Sequence, residues 1–107
     1  MNIPVNAIAN YIIQIYKPKD ISVDVRHNDT GMEYVIFLYF DHIDDKYITN
    51  QNALDLIANK ENNLQREIRS EVEQFFSTKT SGLDLQGFAP YKRHGLTINV
   101  IQNRTPR

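Results

Sequence analysis

Apolar and polar positions alternate with two different periods along the chain. Val5, Ile8, Ile12 and Ile15 recur at spacings of three and four behind Asn2 and Pro4, so residues Asn2 to Tyr16 are expected to form an amphipathic helix that Pro18 stops. In ISVDVRHN the period changes to two, with Ile21, Val23 and Val25 on one side and Ser22, Asp24 and Arg26 on the other. Asp29-Thr30-Gly31 carries turn chemistry, and MEYVIFLYF is rich in the aromatic and β-branched residues that strands favour. These segments predict a hairpin. Thr49 and Asn50 are the expected N-caps of a second helix with apolar positions at Leu54, Ile57, Leu64, Ile68, Val72, Phe75 and Phe76. A helix from Gln51 to Ser77 would be about 40 Å long against about 27 Å for an eight-residue strand. It is therefore expected either to overhang the sheet or to break near Asn59–Asn63. After a long connection from Thr80 to Gly95, GLTINVIQ alternates again as a third strand. The expected fold is α+β: a three-stranded sheet with helices on one face, in the order α-β-β-α-β.

Pairing register decides which side chains share a face. A two-residue loop at Thr30-Gly31 would set Ile21, Val23 and Val25 opposite Phe40, Leu38 and Ile36, an apolar face for the helices to cover. The other face would carry Ser22, Asp24 and Arg26 opposite Tyr39, Phe37 and Val35, with Thr97, Asn99 and Ile101 beside them if the third strand lies alongside. Val35, Phe37, Tyr39 and Ile101 would then form an exposed apolar stripe, which monomers tend not to display without a partner. Three occupants compete for it. The Thr80–Tyr91 segment could fold back over it; a protein partner or a second copy could cover it; or Phe37 and Tyr39 could stack nucleic-acid bases.

Composition narrows these choices. At 107 residues without a low-complexity segment the chain is expected to be a single domain, residues 1–107, with a short basic tail from about 102 to 107. The lack of cysteine removes disulfides, thiolate metal sites and cysteine nucleophiles. No stretch approaches the roughly 20 apolar residues of a spanning helix, and the N-terminus lacks the features of a secretory leader, so no membrane insertion and a cytoplasmic location are expected. The formal charge is −1, which argues against a protein that coats nucleic acid. Charge is unevenly distributed, however: from Gln86 onward Lys92, Arg93, Arg104 and Arg107 meet no acid, leaving the rest of the chain at −5. With His94 these four make a candidate anion- or nucleic-acid-binding group.

The most chemical stretch is FDHIDD, Phe40 to Asp45. A metal there would need several ligands within about 2 to 2.6 Å of one point. On the expected register His27 faces Tyr34, and His42 lies about 26 Å beyond, too far to share an ion. The spacing within FDHIDD fits neither an EF-hand loop nor a His-x-x-x-His helix. It reads as the solvated end of a strand entering a turn. The hydroxyls Ser77, Thr78, Thr80 and Ser81 have no evident base, and the four glycines make no phosphate loop. No catalytic residue, metal or cofactor is therefore expected.

The αββαβ order, with NKEN at Asn59–Asn62 where a second helix could divide, resembles the type II KH fold, including the small ribosome-binding factor of bacteria, and the ring-building domains of secretion and sporulation rings. It resembles more loosely the small tail- and neck-completing proteins of phages. In nucleic-acid-binding KH domains a Gly-x-x-Gly turn lets phosphate approach the backbone, and NKEN has no glycine. Together with the exposed stripe, the resemblance implies a contact module of an assembly, in the cytoplasm or in a virion if phage-encoded. Val35, Phe37, Tyr39, Arg26 and Ile101 would bind a protein partner. Its other implication is an RNA- or ribosome-binding factor using Lys92, Arg93 and the tail.

Overall fold

The computed structural model describes residues 4–28, 31–77 and 94–104. Helix α1 spans Val5–Tyr16, strand β1 Asp20–Asn28, strand β2 Gly31–Phe40, helix α2 Leu56–Ser77 and strand β3 His94–Gln102, with one 3₁₀ turn at Asp45–Tyr47. The strands form a mixed sheet in the order β1-β2-β3, β2 lying antiparallel to β1 and parallel to β3. Ile36 sits beside Ile98 and Leu38 beside Val100, and these residues form one buried cluster with Ile8 and Ile12 of α1 and Leu64, Ile68 and Val72 of α2. Both helices therefore cover the same face, as the α+β pattern predicts.

Helix α1 begins at Val5 rather than near Asn2, which lies outside the described residues. It ends where Lys17 enters the left-handed region at φ 52° and ψ 56°, its N–H donating to the Ile13 carbonyl. Pro18 then prevents continuation.

The hairpin register differs from the expected one by two residues. Asn28 faces Gly31, Val23 faces Ile36 and Ile21 faces Leu38. The intervening Asp29 and Thr30 lie outside the described residues. Side chains alternate with a period of two, so an even shift changes every partner and leaves every face assignment intact.

Helix α2 is unbroken through Asn59–Asn63, and neither Thr49 nor Asn50 is its cap. Asp55 caps it, Oδ1 accepting from the Ala58 N–H at 3.0 Å. Residues Gln51 to Asp55 precede the helix, and Leu54, expected on its apolar face, is fully exposed. Starting at Leu56 shortens the helix to 22 residues, about 33 Å, close to the length of the 10-residue β2. The length mismatch that suggested a break is thereby removed.

Candidate interaction surface

Polar residues of NKENN hold the end of FDHIDD and the residues that follow it. Lys60, buried at the start of the Leu64–Ile68–Val72 ridge, donates from Nζ to the Ile43 carbonyl at 2.8 Å and to Asp45 Oδ1 at 3.3 Å. Asn59 Oδ1 accepts from the Thr49 and Asn50 N–H groups, and Asn63 Nδ2 donates to the Tyr47 carbonyl at 2.7 Å and to Thr49 Oγ1 at 2.8 Å. Within FDHIDD, Asp41 pairs with Lys19 at 3.6 Å and accepts from Asn103, Asp44 accepts from the Lys46 N–H, and Ile43 is buried. His42 is exposed, as is His27. Among the described residues no group of three or more His, Asp or Glu side chains is placed to hold a metal ion. His27 faces Met32, which lies further from His42 than the expected Tyr34.

A second polar cluster joins the two helices. Tyr16 and Tyr47 both donate to Glu67 Oε2, at 3.1 and 3.2 Å. Burial, reinforced by the Glu67 carboxylate, raises both phenol pKa values above the ordinary 10.0. Both rings stay protonated near neutrality and act as fixed donors.

The sheet edges differ. The outward N–H groups of Val100 and Gln102 on β3 donate to Gln65 Oε1 at 2.9 Å and Glu61 Oε2 at 2.6 Å. A four-residue helical step of about 6 Å matches a two-residue strand step of about 6.6 Å, so side chains one turn apart can satisfy alternate strand amides. Glu61 and Asp55 also hold Arg104, at 3.2 and 3.5 Å. β1 has no such cover among the described residues. Val23 and Val25, on the helix-bearing face, are 39% and 50% exposed, so the apolar face expected to be covered is open at these two residues, while Ile21 packs against the core.

On the opposite face β3 brings Thr97, Asn99 and Ile101 beside Val35, Phe37 and Tyr39, as the alternation predicts. Their exposure is lower than expected. Val35 is 2% exposed, whereas Phe37, Tyr39 and Ile101 are half-buried and Arg26 is exposed. The Thr80–Tyr91 segment considered as a cover lies outside the described residues. So do Lys92, Arg93 and Arg107, while His94 opens β3 opposite Met32. Arg104, expected at a free basic end, is held by its two carboxylates.

Sequence reasoning overlooked a polar groove of about 410 Å³ along α2, lined by Asn62, Gln65, Arg66, Arg69, Ser70 and Glu73. Arginines 66 and 69 at helical spacing were the available signal. Among the described residues no helix is long and apolar enough to cross a membrane. No protein-family model, curated protein or solved structure matches the chain.

Proposed function

We propose that this chain is a non-enzymatic contact module, a subunit of a larger assembly in the cytoplasm or, if phage-encoded, in a virion. The observation that carries this reading is the open edge of β1, where Val23 and Val25 stand exposed beside a buried core. Large apolar side chains on a strand with one unpaired edge favour a partner. The polar residues of FDHIDD support the reading from the other side, because Asp41 and Asp45 hold neighbouring segments of the chain and Asp44 caps the 3₁₀ turn. Phe37 and Tyr39 would add anchors on the opposite face with Arg26 at their rim, and Lys92, Arg93, His94 and Arg107 would steer acidic groups of a partner. A nucleic-acid role for that face is disfavoured by exposed Asp24 beside Arg26 and exposed Asp20 further along the strand.

Sedimentation of nuclease-treated extract from cells carrying a tagged chain tests the proposal. The chain is expected in a particle larger than itself, and Val23→Lys or Phe37→Ala/Tyr39→Ala should release it. Release by nuclease, with RNA affinity falling steeply in salt, would favour an RNA- or ribosome-binding factor. A free chain under all conditions would remove the assembly reading.

A further inference from the structure

The backbone of β1 shows how its open edge can be filled. Ile21 donates its N–H to the Asp20 side chain at 2.9 Å, whereas Asn28 and Gly31 close the ladder with β2. Peptide groups in an antiparallel pair point alternately toward and away from the neighbour, so Ile21, Val23, Val25 and His27 turn their N–H and C=O groups to the open edge. Their side chains lie on the helix-bearing face. Asp20, Ser22, Asp24 and Arg26 lie on the other and are exposed.

We infer that β1 pairs antiparallel with β1 of a second copy of this chain, about a twofold axis at Val23, joining two three-stranded sheets into one of six strands. This inference rests on the contact-module reading and names its partner. Twofold pairing that keeps the helix-bearing faces together can centre only on a residue, and three centres leave most of the strand paired. An axis at Asp24 sets its two carboxylates directly opposite each other, which is repulsive. An axis at Val25 sets Val23 against His27. An axis at Val23 sets Ile21 against Val25 and Val23 against itself on one face, and Asp20 against Arg26 on the other. This register makes the Ile21–Val25 and Val23–Val23 pairs on the helix side apolar, with His27 beyond them opposite Lys19, and makes the Asp20–Arg26 pair twice. It also replaces the Ile21 bond to Asp20 with a ladder bond to the Val25 carbonyl of the second copy, freeing the Asp20 carboxylate for Arg26.

The chain has no cysteine, so single substitutions report the register directly. Opposed residues in such a ladder have Cα atoms about 5.5 Å apart, within disulfide range. In the proposed register Val23→Cys meets its own copy, whereas two Val25→Cys positions are about 13 Å apart. Purified full-length chain should give twice the monomer mass by size exclusion with light scattering. On mild oxidation Val23→Cys should cross-link and Val25→Cys should not. Arg26→Asp should weaken the dimer roughly tenfold or more, and Asp20→Arg/Arg26→Asp should restore it. All these positions are on exposed edge surface, and circular dichroism checks that each variant keeps its fold. A monomer at high micromolar concentration, preferential cross-linking at Val25→Cys, or failure of the charge swap to rescue Arg26→Asp would overturn this pairing. If the purified chain is monomeric but still sediments in a particle from cells, self-pairing is wrong and the contact-module reading stands. A free chain in both experiments removes both.

Discussion

Lys60 is buried on a helix ridge that otherwise carries Leu64, Ile68 and Val72, and its ammonium reaches the Ile43 carbonyl inside and the largely exposed Asp45 carboxylate outside. The two partners are unequal. Losing a donor from a buried carbonyl costs about 1–3 kcal/mol, whereas an exposed ion pair contributes about 0–1 kcal/mol. Lys60→Met, which keeps the length of the side chain, is therefore expected to lower the urea-unfolding free energy by about 1–3 kcal/mol, and Asp45→Asn by less than about 1 kcal/mol. The Tyr16–Tyr47–Glu67 cluster gives a pH signature. Folding raises both phenol pKa values, so the folded state holds these protons more tightly than the unfolded chain. Their contribution is fully present below pH 10, the ordinary tyrosine value, and is lost as pH rises through the folded values. A melting-temperature series at alkaline pH should fall across that window, and Tyr16→Phe should flatten the fall by lowering the melting temperature below pH 10 toward the alkaline value.

At the scale of elements, α2 shows what alternation alone leaves open. NKENN resembles a loop in composition because its partners are distant in sequence: the backbone of residues 43–50 for Asn59, Lys60 and Asn63, and the β3 edge for Glu61. The apolar ridge, the strand faces and the parity of the hairpin were readable, since each follows from a local period. The exact hairpin partners were not, because alternation defines parity and the loop must supply the rest. Cover over β1 was not readable either. Glu61 and Gln65 reach the outer amides of β3, so α2 lies toward that edge and the helical layer leaves β1 open. Of the candidate site, the outer-face residues were placed on the right face, but Val35 was not recognised as buried, nor Arg104 as engaged. If Gln65 and Glu61 protect the β3 edge, Glu61→Ala/Gln65→Ala should speed amide exchange at Val100 and Gln102 and lower stability by about 1–3 kcal/mol. Exchange at Ile36 and Leu38, inside the sheet, should respond only to the global loss.

At the scale of the whole molecule, the described residues form a sheet with one sealed edge and one open edge, which limits how copies can join. A chain with two open edges can propagate into a fibre, whereas one with a single open edge closes after two copies. Val23 and Val100 make this asymmetry measurable, because both are valines of edge strands on the helix-bearing face and differ in cover, at 39% and 5% exposed. A lysine at position 100 would have to bring its charge into the cluster shared with Leu38 and Ile98, at a cost of several kcal/mol. At position 23 it can extend into solvent and also places a charge on the open edge, a common natural guard against strand pairing. Thermal unfolding of dilute protein should therefore show Val100→Lys largely unfolded and Val23→Lys within about 0.5 kcal/mol of the parent. Only the second should stay monomeric, folded and less prone to aggregate when concentrated. Equal damage from both lysines would mean that β1 is as deeply covered as β3, and the open edge, with the assembly built on it, would have to be abandoned.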